Sequence, residues 1–188
     1  MSNTRKVAVL VGSLRKGSYN RMMARAAAEI APASLKLEIV EIGQLPLYNE
    51  DDDKANPPAA WVAFRQQVKS AEALLFFTPE YNRSVPGALK NAIDVGSRPY
   101  GQSAWGGKPG AVISVSPGAI GAFGANHHLR QSFVFLDVPV MQQPEAYIGG
   151  AAKLFDESGT LTSDATRDFL KKLMEAFAAW VEIHAKRD

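Results

Sequence analysis

The sequence predicts an α/β fold in which an open parallel sheet is covered by helices on both faces. Short, continuously apolar segments rich in β-branched residues alternate with segments whose apolar residues recur at helical spacing. No internal repeat or Pro- and Gly-rich linker interrupts this alternation. The 188 residues therefore predict one domain, spanning residues 1–188 and built around a single core.

Each element follows from its local pattern. Residues 7–11 form an apolar run that stops at a glycine, as in a strand buried on both faces, and a helical pattern follows until Pro32 ends it. The last predicted helix carries an apolar stripe that includes Phe177 and Trp180. The predicted strands are 7–11, 35–42, 73–78, 110–115 and 138–142, the predicted helices are 22–30, 59–70, 87–95, 125–136 and 164–186, and 44–58 is a polar connection.

Five strands joined through helices leave few topologies, because parallel crossovers are right-handed. The five-stranded version of this architecture is flavodoxin-like, a three-layer sandwich with strand order 2-1-3-4-5. Its ligands bind in a crevice at the carboxyl ends of strands 1 and 3. We therefore expect function in the loops after the first, third and fourth strands.

Composition narrows the class of function. The formal charge is +2 without a long basic run, so nucleic acid is not an expected partner. Cysteine is absent, which excludes thiolate catalysis and means that redox chemistry needs a cofactor. The first apolar run is too short for a signal peptide or a membrane span, so we expect a cytoplasmic protein without membrane contact.

The loop at 12–20, GSLRKGSYN, has the composition of a phosphate cradle. Glycines let backbone N–H groups approach an anion, Ser13 and Ser18 offer hydroxyl donors, and Arg15 offers a planar charged fork at a helix N-terminus. The loop matches neither the ATP pattern G-x-x-x-x-G-K-[ST] nor the NAD pattern G-x-G-x-x-G, which favours a monoester phosphate. The alternative is an ordinary turn with Ser18 as a helix cap.

Two further loops complete the expected site. In 78–87, TPEYNRSVPG, Tyr81 offers a surface for a planar ring, and backbone groups near Asn82 offer partners for its edge. The alternative is a Pro-bounded turn with Tyr81 packed in the core. In 114–124, SVSPGAIGAFG, small residues leave room for a ring, although a plain mobile loop has the same composition.

Together, GSLRKGSYN, PEYN and SVPGALKNAID resemble the NADPH-dependent FMN reductase family, most closely its bacterial chromate and quinone reductase branch. LPLYN at 45–49, GKP at 107–109 and HLRQ at 128–131 extend the likeness over nearly the whole chain. The resemblance implies FMN as cofactor, NADPH or NADH as donor, and quinones, chromate or similar small oxidised acceptors. It also implies a homodimer or homotetramer, with the LPLYN loop near the neighbouring subunit's site.

By this resemblance, the first loop and helix start hold the FMN phosphate, PEYN holds the isoalloxazine edge, and the loop after the fourth strand covers the ring. No side chain is expected to be catalytic, because the flavin carries the chemistry. Arg83 replaces an aromatic residue that is more usual in the branch. The candidate cofactor-binding residues are Ser13, Arg15, Ser18, Tyr19, Asn20, Pro79, Glu80, Tyr81, Asn82, Ser116 and Gly118.

Other features suggest lesser roles. Arg83, Arg98 and Lys108 are candidates for attracting anionic donors or acceptors, with simple solvation as the alternative. The acidic run 51–53 lacks the spacing of a calcium loop and is expected to be a solvated patch. The pair at 127–128 lies on adjacent helical positions and cannot chelate one ion. The rival functions are a flavodoxin-type electron carrier and a non-flavin phosphate-ligand binding module.

Overall fold

A computed structural model describes residues 4–184. It contains a five-stranded sheet and helices that alternate with its strands. The strands are β1 (Arg5–Val11), β2 (Leu35–Val40), β3 (Ala73–Thr78), β4 (Gly110–Val115) and β5 (Ala146–Ile148). The α-helices are α1 (Tyr19–Ile30), α2 (Glu50–Ala55), α3 (Ala59–Lys69), α4 (Gly87–Gly96), α5 (Phe123–Phe135) and α6 (Asp164–His184), and a short 3-10 helix covers Ala151–Lys153.

The sheet confirms the predicted fold class. Its strand order is β2-β1-β3-β4-β5, and each paired strand runs parallel to its neighbour. Side chains of β1 alternate between the two faces, so that Val9 joins one core cluster and Leu10 the other. One cluster is covered by α1 and α6, the other by α3, α4 and α5. This is the three-layer sandwich that the alternating pattern predicts.

The fifth strand is not where the sequence predicts it. We expected it at 138–142, but β5 is Ala146–Ile148. The predicted segment makes one isolated parallel bridge, from Val140 to Gly110, before it leaves the edge of β4. Pro139 and Pro144 have no N–H group to donate to a ladder, so regular pairing begins only after the second proline. Val138 and Met141 are both buried, so the apolar residues near Val140 indicate burial and not strand pairing.

Some element ends also differ from the predicted ones; α1, for example, begins at Tyr19 rather than at residue 22. Strand β2 stops at Val40, although the buried apolar pattern continues to Ile42. The described part of α6 ends at His184, and the predicted end at residue 186 lies outside the described residues. The buried residues of α6 include Leu173 and Phe177, which confirms its apolar stripe. No helix in residues 4–184 combines the length and apolar character that crossing a bilayer requires.

The polar connection at 44–58 contains a helix that the sequence analysis missed. Asn49 caps α2 by accepting a hydrogen bond from the Asp51 N–H group. Asp51 and Asp52 are exposed, as expected, but the prediction of a solvated patch is wrong for Asp53. The Asp53 carboxylate accepts two hydrogen bonds of 2.8 Å from the guanidinium of Arg65, and both side chains are almost completely buried.

This ion pair fastens α2 to the body of the protein. The Arg65 Nε group also donates to the carbonyl of Val95 at the end of α4. Hydrogen bonding from Arg65 lowers the pKa of Asp53 below its ordinary value of 3.8, despite the opposing effect of burial. Because the folded-state pKa is depressed, the pair stabilises the fold fully above pH 3.8 and loses its contribution as pH falls below it.

We expect Asp53→Asn to lower the free energy of unfolding at pH 7 by about 3 kcal/mol or more, because it leaves the Arg65 charge buried without a counter-ion. Urea unfolding followed by circular dichroism measures this loss. The gap between wild type and variant is expected to narrow progressively below pH 3.8.

Asp52→Asn is the matched control, since Asp52 lies on the same short helix but is exposed. Its effect is expected to stay within about 0.5 kcal/mol. Equal effects of the two substitutions would contradict a special role for the buried pair.

Candidate active site

Three loops meet at the carboxyl edge of the sheet. Val11 at the end of β1 is in register with Phe77, and Thr78 at the end of β3 is in register with Ser114. The Gly12 N–H group still donates to the Phe77 carbonyl, at 2.8 Å, so the first loop leaves the sheet directly beside the third strand. The loops at 12–18, 79–86 and 116–122 therefore start from neighbouring positions.

The first loop presents a row of free backbone donors. Within residues 4–184, the N–H groups of residues 13–17, 19 and 20 donate to no protein acceptor, while residues 16 and 17 form a turn. Ser18 is the N-cap of α1, where its hydroxyl accepts from the Arg21 N–H group at 3.2 Å. The capping role proposed as the alternative is thus real, and it leaves the other amides of the loop available. Free amides at a helix N-terminus form an anion site, which fits a phosphate group.

Charge at this loop comes from exposed cations. Arg15 and Lys16 are exposed at its tip, while Ser13 is buried beneath them. The guanidinium carbon of Arg15 lies 6.0 Å from the centroid of the Tyr19 ring, close enough for a cation–π contact. The Tyr19 ring in turn stacks on Phe155 at 6.2 Å. The Tyr19 ring therefore packs between Phe155 and the Arg15 guanidinium.

Asn20 connects the first helix to the fourth strand. Its side chain is 3% exposed, and its Nδ2 group donates to the carbonyl of Val115 at 3.0 Å. The Oδ1 atom is buried and accepts no hydrogen bond within the described residues. A buried acceptor without a donor is costly, so this atom suits a ligand group that carries an O–H or N–H.

The second loop faces the first across an open cleft. The cleft has a volume of about 350 Å³ and is lined by residues of both loops and of the start of α4. Tyr81 is 54% exposed, so the alternative in which it packs in the core is wrong. Pro79 is half-buried and Asn82 is exposed. The lining residues are Gly12, Leu14, Arg15, Tyr81, Pro86, Gly87 and Ala88.

The Glu80 carboxylate points away from this cleft toward α5. The N–H group of Ala125, in the first turn of α5, donates to Glu80 Oε2 at 3.0 Å. The other oxygen lies 3.7 Å from the guanidinium of Arg83. The resemblance places Glu80 at the ring edge; its carboxylate is engaged by α5 and Arg83, which leaves its backbone groups for that role.

The third loop is held at several points. The Ser116 hydroxyl accepts from the Gly118 N–H group at 3.1 Å, and the Gly118 carbonyl accepts from Gly150. Gly121 has a φ of +60°, and a Cβ atom there would lie 2.4 Å from the carbonyl carbon of Tyr147. Only glycine meets both requirements. The many small residues therefore allow close packing of a well-anchored loop.

A buried polar network beneath this loop was not found from the sequence. The Ser114 hydroxyl donates to the Gly121 carbonyl at 2.6 Å, and Asn126 Nδ2 donates to Ser114 Oγ at 3.2 Å. Arg130 donates from Nε to Asn126 Oδ1 and from Nη1 to the Met141 carbonyl. Ser114 and Asn126 are fully buried. The HLRQ motif contains Arg130, and no local pattern indicates its partners.

The two histidines of α5 turn to different partners. His128 Nδ1 lies 2.9 Å from the hydroxyl of Ser84, and His127 Nε2 lies 3.0 Å from the hydroxyl of Tyr147. Burial, together with hydrogen bonding to Glu145, raises the pKa of Tyr147 to about 12. No group of three or more His, Asp or Glu side chains in residues 4–184 is arranged to hold a metal ion.

Two of the three candidate cations lie far from the cleft. Lys108 Nζ donates to the carbonyls of Val68, Lys69 and Ala71 at the end of α3, so its prediction as an attractor of anions is wrong. Arg98 follows the C-terminal end of α4, at the opposite edge of the sheet from the cleft. Arg83 alone of these three lies in a loop at the carboxyl edge.

Comparison with known proteins assigns this chain to a family. The family described as NADPH-dependent FMN reductase matches residues 5–153, a range that includes all three loops. A quinone reductase of Pseudomonas putida is 67% identical over 184 residues, which are 98% of each protein. A 2-hydroxy-1,4-benzoquinone reductase of a Burkholderia species is 51% identical over 176 residues, 94% of this chain and 96% of that relative.

Among solved structures, FerB, a flavoenzyme NAD(P)H:(acceptor) oxidoreductase of Paracoccus denitrificans, has a TM-score of 0.90 against this chain at 41% identity. The match covers 97% of this chain and 100% of FerB. The resemblance seen in the loop motifs is therefore confirmed over nearly the whole length. The chain belongs to the NADPH-dependent FMN reductase family.

Proposed function

We propose that this protein is an FMN-dependent NAD(P)H:quinone oxidoreductase and that residues 1–188 form one FMN-binding domain. The observation that carries the proposal is the row of free amides beside two cations at the start of α1. When bound, FMN accepts a hydride from the nicotinamide and passes electrons to the acceptor. The chain's task is to bind the cofactor, orient it and leave one face of the ring accessible.

The phosphate site consists of the first loop and the first turn of α1. Ser13 and Ser18 supply hydroxyls, Arg15 supplies a charged fork supported by Tyr19, and backbone amides supply the remaining donors. A phosphate dianion only accepts hydrogen bonds, so Asn20 serves it through its backbone N–H group. The buried Asn20 Oδ1 atom suits a hydroxyl of the ribityl chain.

The ring site lies between the second and third loops. Tyr81 lines the cleft next to the start of α4, and Pro79, Glu80 and Asn82 belong to the same loop. Ser116 and Gly118 belong to the wall on the β4 side. Backbone N–H groups of these loops would stabilise negative charge on the bound cofactor, which is the electrostatic contribution of the chain.

The acceptor is a small oxidised molecule. The quinone reductase of Pseudomonas putida, at 67% identity, supports quinones as acceptors. We include chromate and similar compounds as further acceptors, and NADPH or NADH as donors. A homodimer or homotetramer in the cytoplasm completes the proposal. Asn91 holds the 45–48 backbone in place through three hydrogen bonds, and Leu47 projects from it with 81% of its surface exposed, as a subunit contact would require.

Titration of the purified protein with FMN, followed by NADPH oxidation with a quinone and no partner protein, tests the proposal. We expect stoichiometric flavin binding and steady-state turnover with parallel double-reciprocal lines, because donor and acceptor use one open face in turn. Flavin binding without turnover would favour an electron carrier. The net charge of +2 argues against such a carrier, because the docking surfaces of these carriers are strongly acidic. A protein that takes up no flavin would favour the phosphate-ligand module.

We expect Arg15→Ala to weaken FMN binding about ten- to hundredfold, because a charge-assisted hydrogen bond contributes about 1.5–3 kcal/mol. Quenching of flavin fluorescence measures the dissociation constant. Arg25→Ala is the control, since Arg25 is exposed on the middle of α1, and its affinity is expected to match wild type. Unchanged affinity in the Arg15 variant would remove this residue from the phosphate site.

Arg83→Ala is expected to raise the KM for NADPH about two- to fivefold with little change in kcat, since an exposed charge contributes at most about 1 kcal/mol. The effect should be smaller for NADH, which lacks the 2′-phosphate of NADPH, and should disappear at high salt. Arg98→Ala, at the opposite edge of the sheet, is expected to leave KM unchanged. An equal response of both variants would argue against a local role for Arg83.

A further inference from the structure

The hairpin that carries Tyr81 is a tight turn in a demanding backbone conformation. Tyr81 and Ser84 exchange two backbone hydrogen bonds, of 3.1 and 2.9 Å. Asn82 and Arg83 between them have φ angles of +51° and +65°. Two successive residues with positive φ form the hairpin turn that asparagine and glycine favour, and arginine adopts it at a cost. Such a turn persists when its surroundings hold it.

Helix α5 provides this support from one face. Glu80, just before the hairpin, accepts a hydrogen bond from the Ala125 N–H group at 3.0 Å. Ser84, which closes the hairpin, lies 2.9 Å from His128 Nδ1. Residues 125 and 128 are three positions apart and share one side of the helix. The hairpin is thus attached to α5 at both of its ends.

The support is mutual, because α5 has no N-terminal cap of its own. Ala122, the residue before the helix, has a φ of +60° and a side chain that offers no acceptor. Free N–H groups in a first helical turn favour a nearby carboxylate. Glu80 supplies that carboxylate from a different loop.

Gly124 makes this close approach possible. A Cβ atom at this position would lie 2.7 Å from the Arg83 carbonyl oxygen and 2.9 Å from Glu80 Oε2. The first of these atoms belongs to the backbone, so a side chain at 124 would displace the hairpin itself.

We propose that Glu80 and Gly124 are positioning residues that set the separation between the hairpin and the β4–α5 loop, the two walls of the ring site. The inference rests on the proposed function, since it assigns these loops to the flavin ring. It gives the Glu80 carboxylate a role through α5 in place of direct contact with the ring. Asn82 and Tyr81 on one side, and Ser116 on the other, then keep a fixed spacing.

The test compares Gly124→Ala, Glu80→Ala and Glu80→Gln with the wild type. We expect Gly124→Ala and Glu80→Ala each to raise the FMN dissociation constant at least tenfold. Visible circular dichroism of the FMN-saturated variants should also change, because the ring environment is altered. Glu80→Gln keeps an acceptor oxygen for Ala125 and is expected to recover most of the affinity.

A readout without flavin makes the result independent of cofactor loading. Amide hydrogen exchange at Ala125 in the apo protein is expected to accelerate at least tenfold in Glu80→Ala, while thermal unfolding shows whether each variant is folded. Gly106→Ala is the control for added bulk, since its Cβ atom would meet its nearest neighbour at 3.6 Å. Glu29→Ala, at an exposed position of α1, controls for lost charge.

The outcomes separate the two proposals. Wild-type protein that takes up no FMN would overturn the proposed function and the ring-positioning role with it. Wild-type protein that binds FMN, with Gly124→Ala and Glu80→Ala matching it in affinity and in visible circular dichroism, would overturn the positioning role alone. Lower stability with an unchanged spectrum of the bound flavin would mean that the contact serves folding only, which also contradicts the inference.

Discussion

Parallel pairing of β1 with β3, and of β3 with β4, brings the carboxyl ends of three strands to one edge, and the candidate site depends on this alignment. A parallel strand must be followed by a crossover, so each of these ends opens into a loop that precedes a helix. The helix N-termini then gather on the same side, with their unpaired N–H groups and positive dipoles. An anion-binding edge is the electrostatic result of this topology.

Buried polar side chains turn this edge into a defined shape. Asn20 ties α1 to the end of β4, Ser114 and Asn126 hold the β4–α5 loop, and Asn91 holds the 45–48 backbone. A single hydrogen bond of this kind contributes only about 1 kcal/mol, but leaving either partner unpaired in the interior costs more. Each bond therefore selects one loop position against the alternatives. Rigid placement of this kind suits a protein whose cofactor carries the chemistry.

The charged residues divide into two groups by burial. The pair formed by Asp53 and Arg65 is enclosed and fastens α2, and Lys108 is used to satisfy carbonyls at the end of α3. Arg15 and Arg83 remain exposed at the carboxyl edge, where both place positive charge beside the loops. The net charge of +2 therefore does not describe how charge is distributed over the protein, because cations such as Arg65 and Lys108 are paired with other protein groups.

Local patterns were sufficient for the parts of the structure that depend on neighbouring residues. Burial on both faces identifies β3 and β4 from their unbroken apolar runs, and 3.6-residue periodicity identifies α6. Strand alternation then leads to the strand order and to the three loops. Prediction from local patterns failed at β5, where apolar residues around Val140 are buried without a regular ladder. It also failed at α2, whose polar sequence has no apolar stripe. Prolines decide where β5 begins, and a helix cap decides where α2 begins, and the hydrophobic pattern indicates neither.

The sequence by itself determined the fold class, the edge proposed as the ligand site and the residue types at that edge, because these follow from periodicity, loop composition and chain direction. Only the tertiary structure decided which side chains are free to face a ligand. From the sequence alone, the charges of Glu80 and Lys108 are equally compatible with contact to solvent, to a ligand or to the protein. In the structure, both side chains form hydrogen bonds with backbone groups far along the chain. Asp53 finds a partner twelve positions away. Such pairings depend on distances across the folded molecule, which no local pattern encodes.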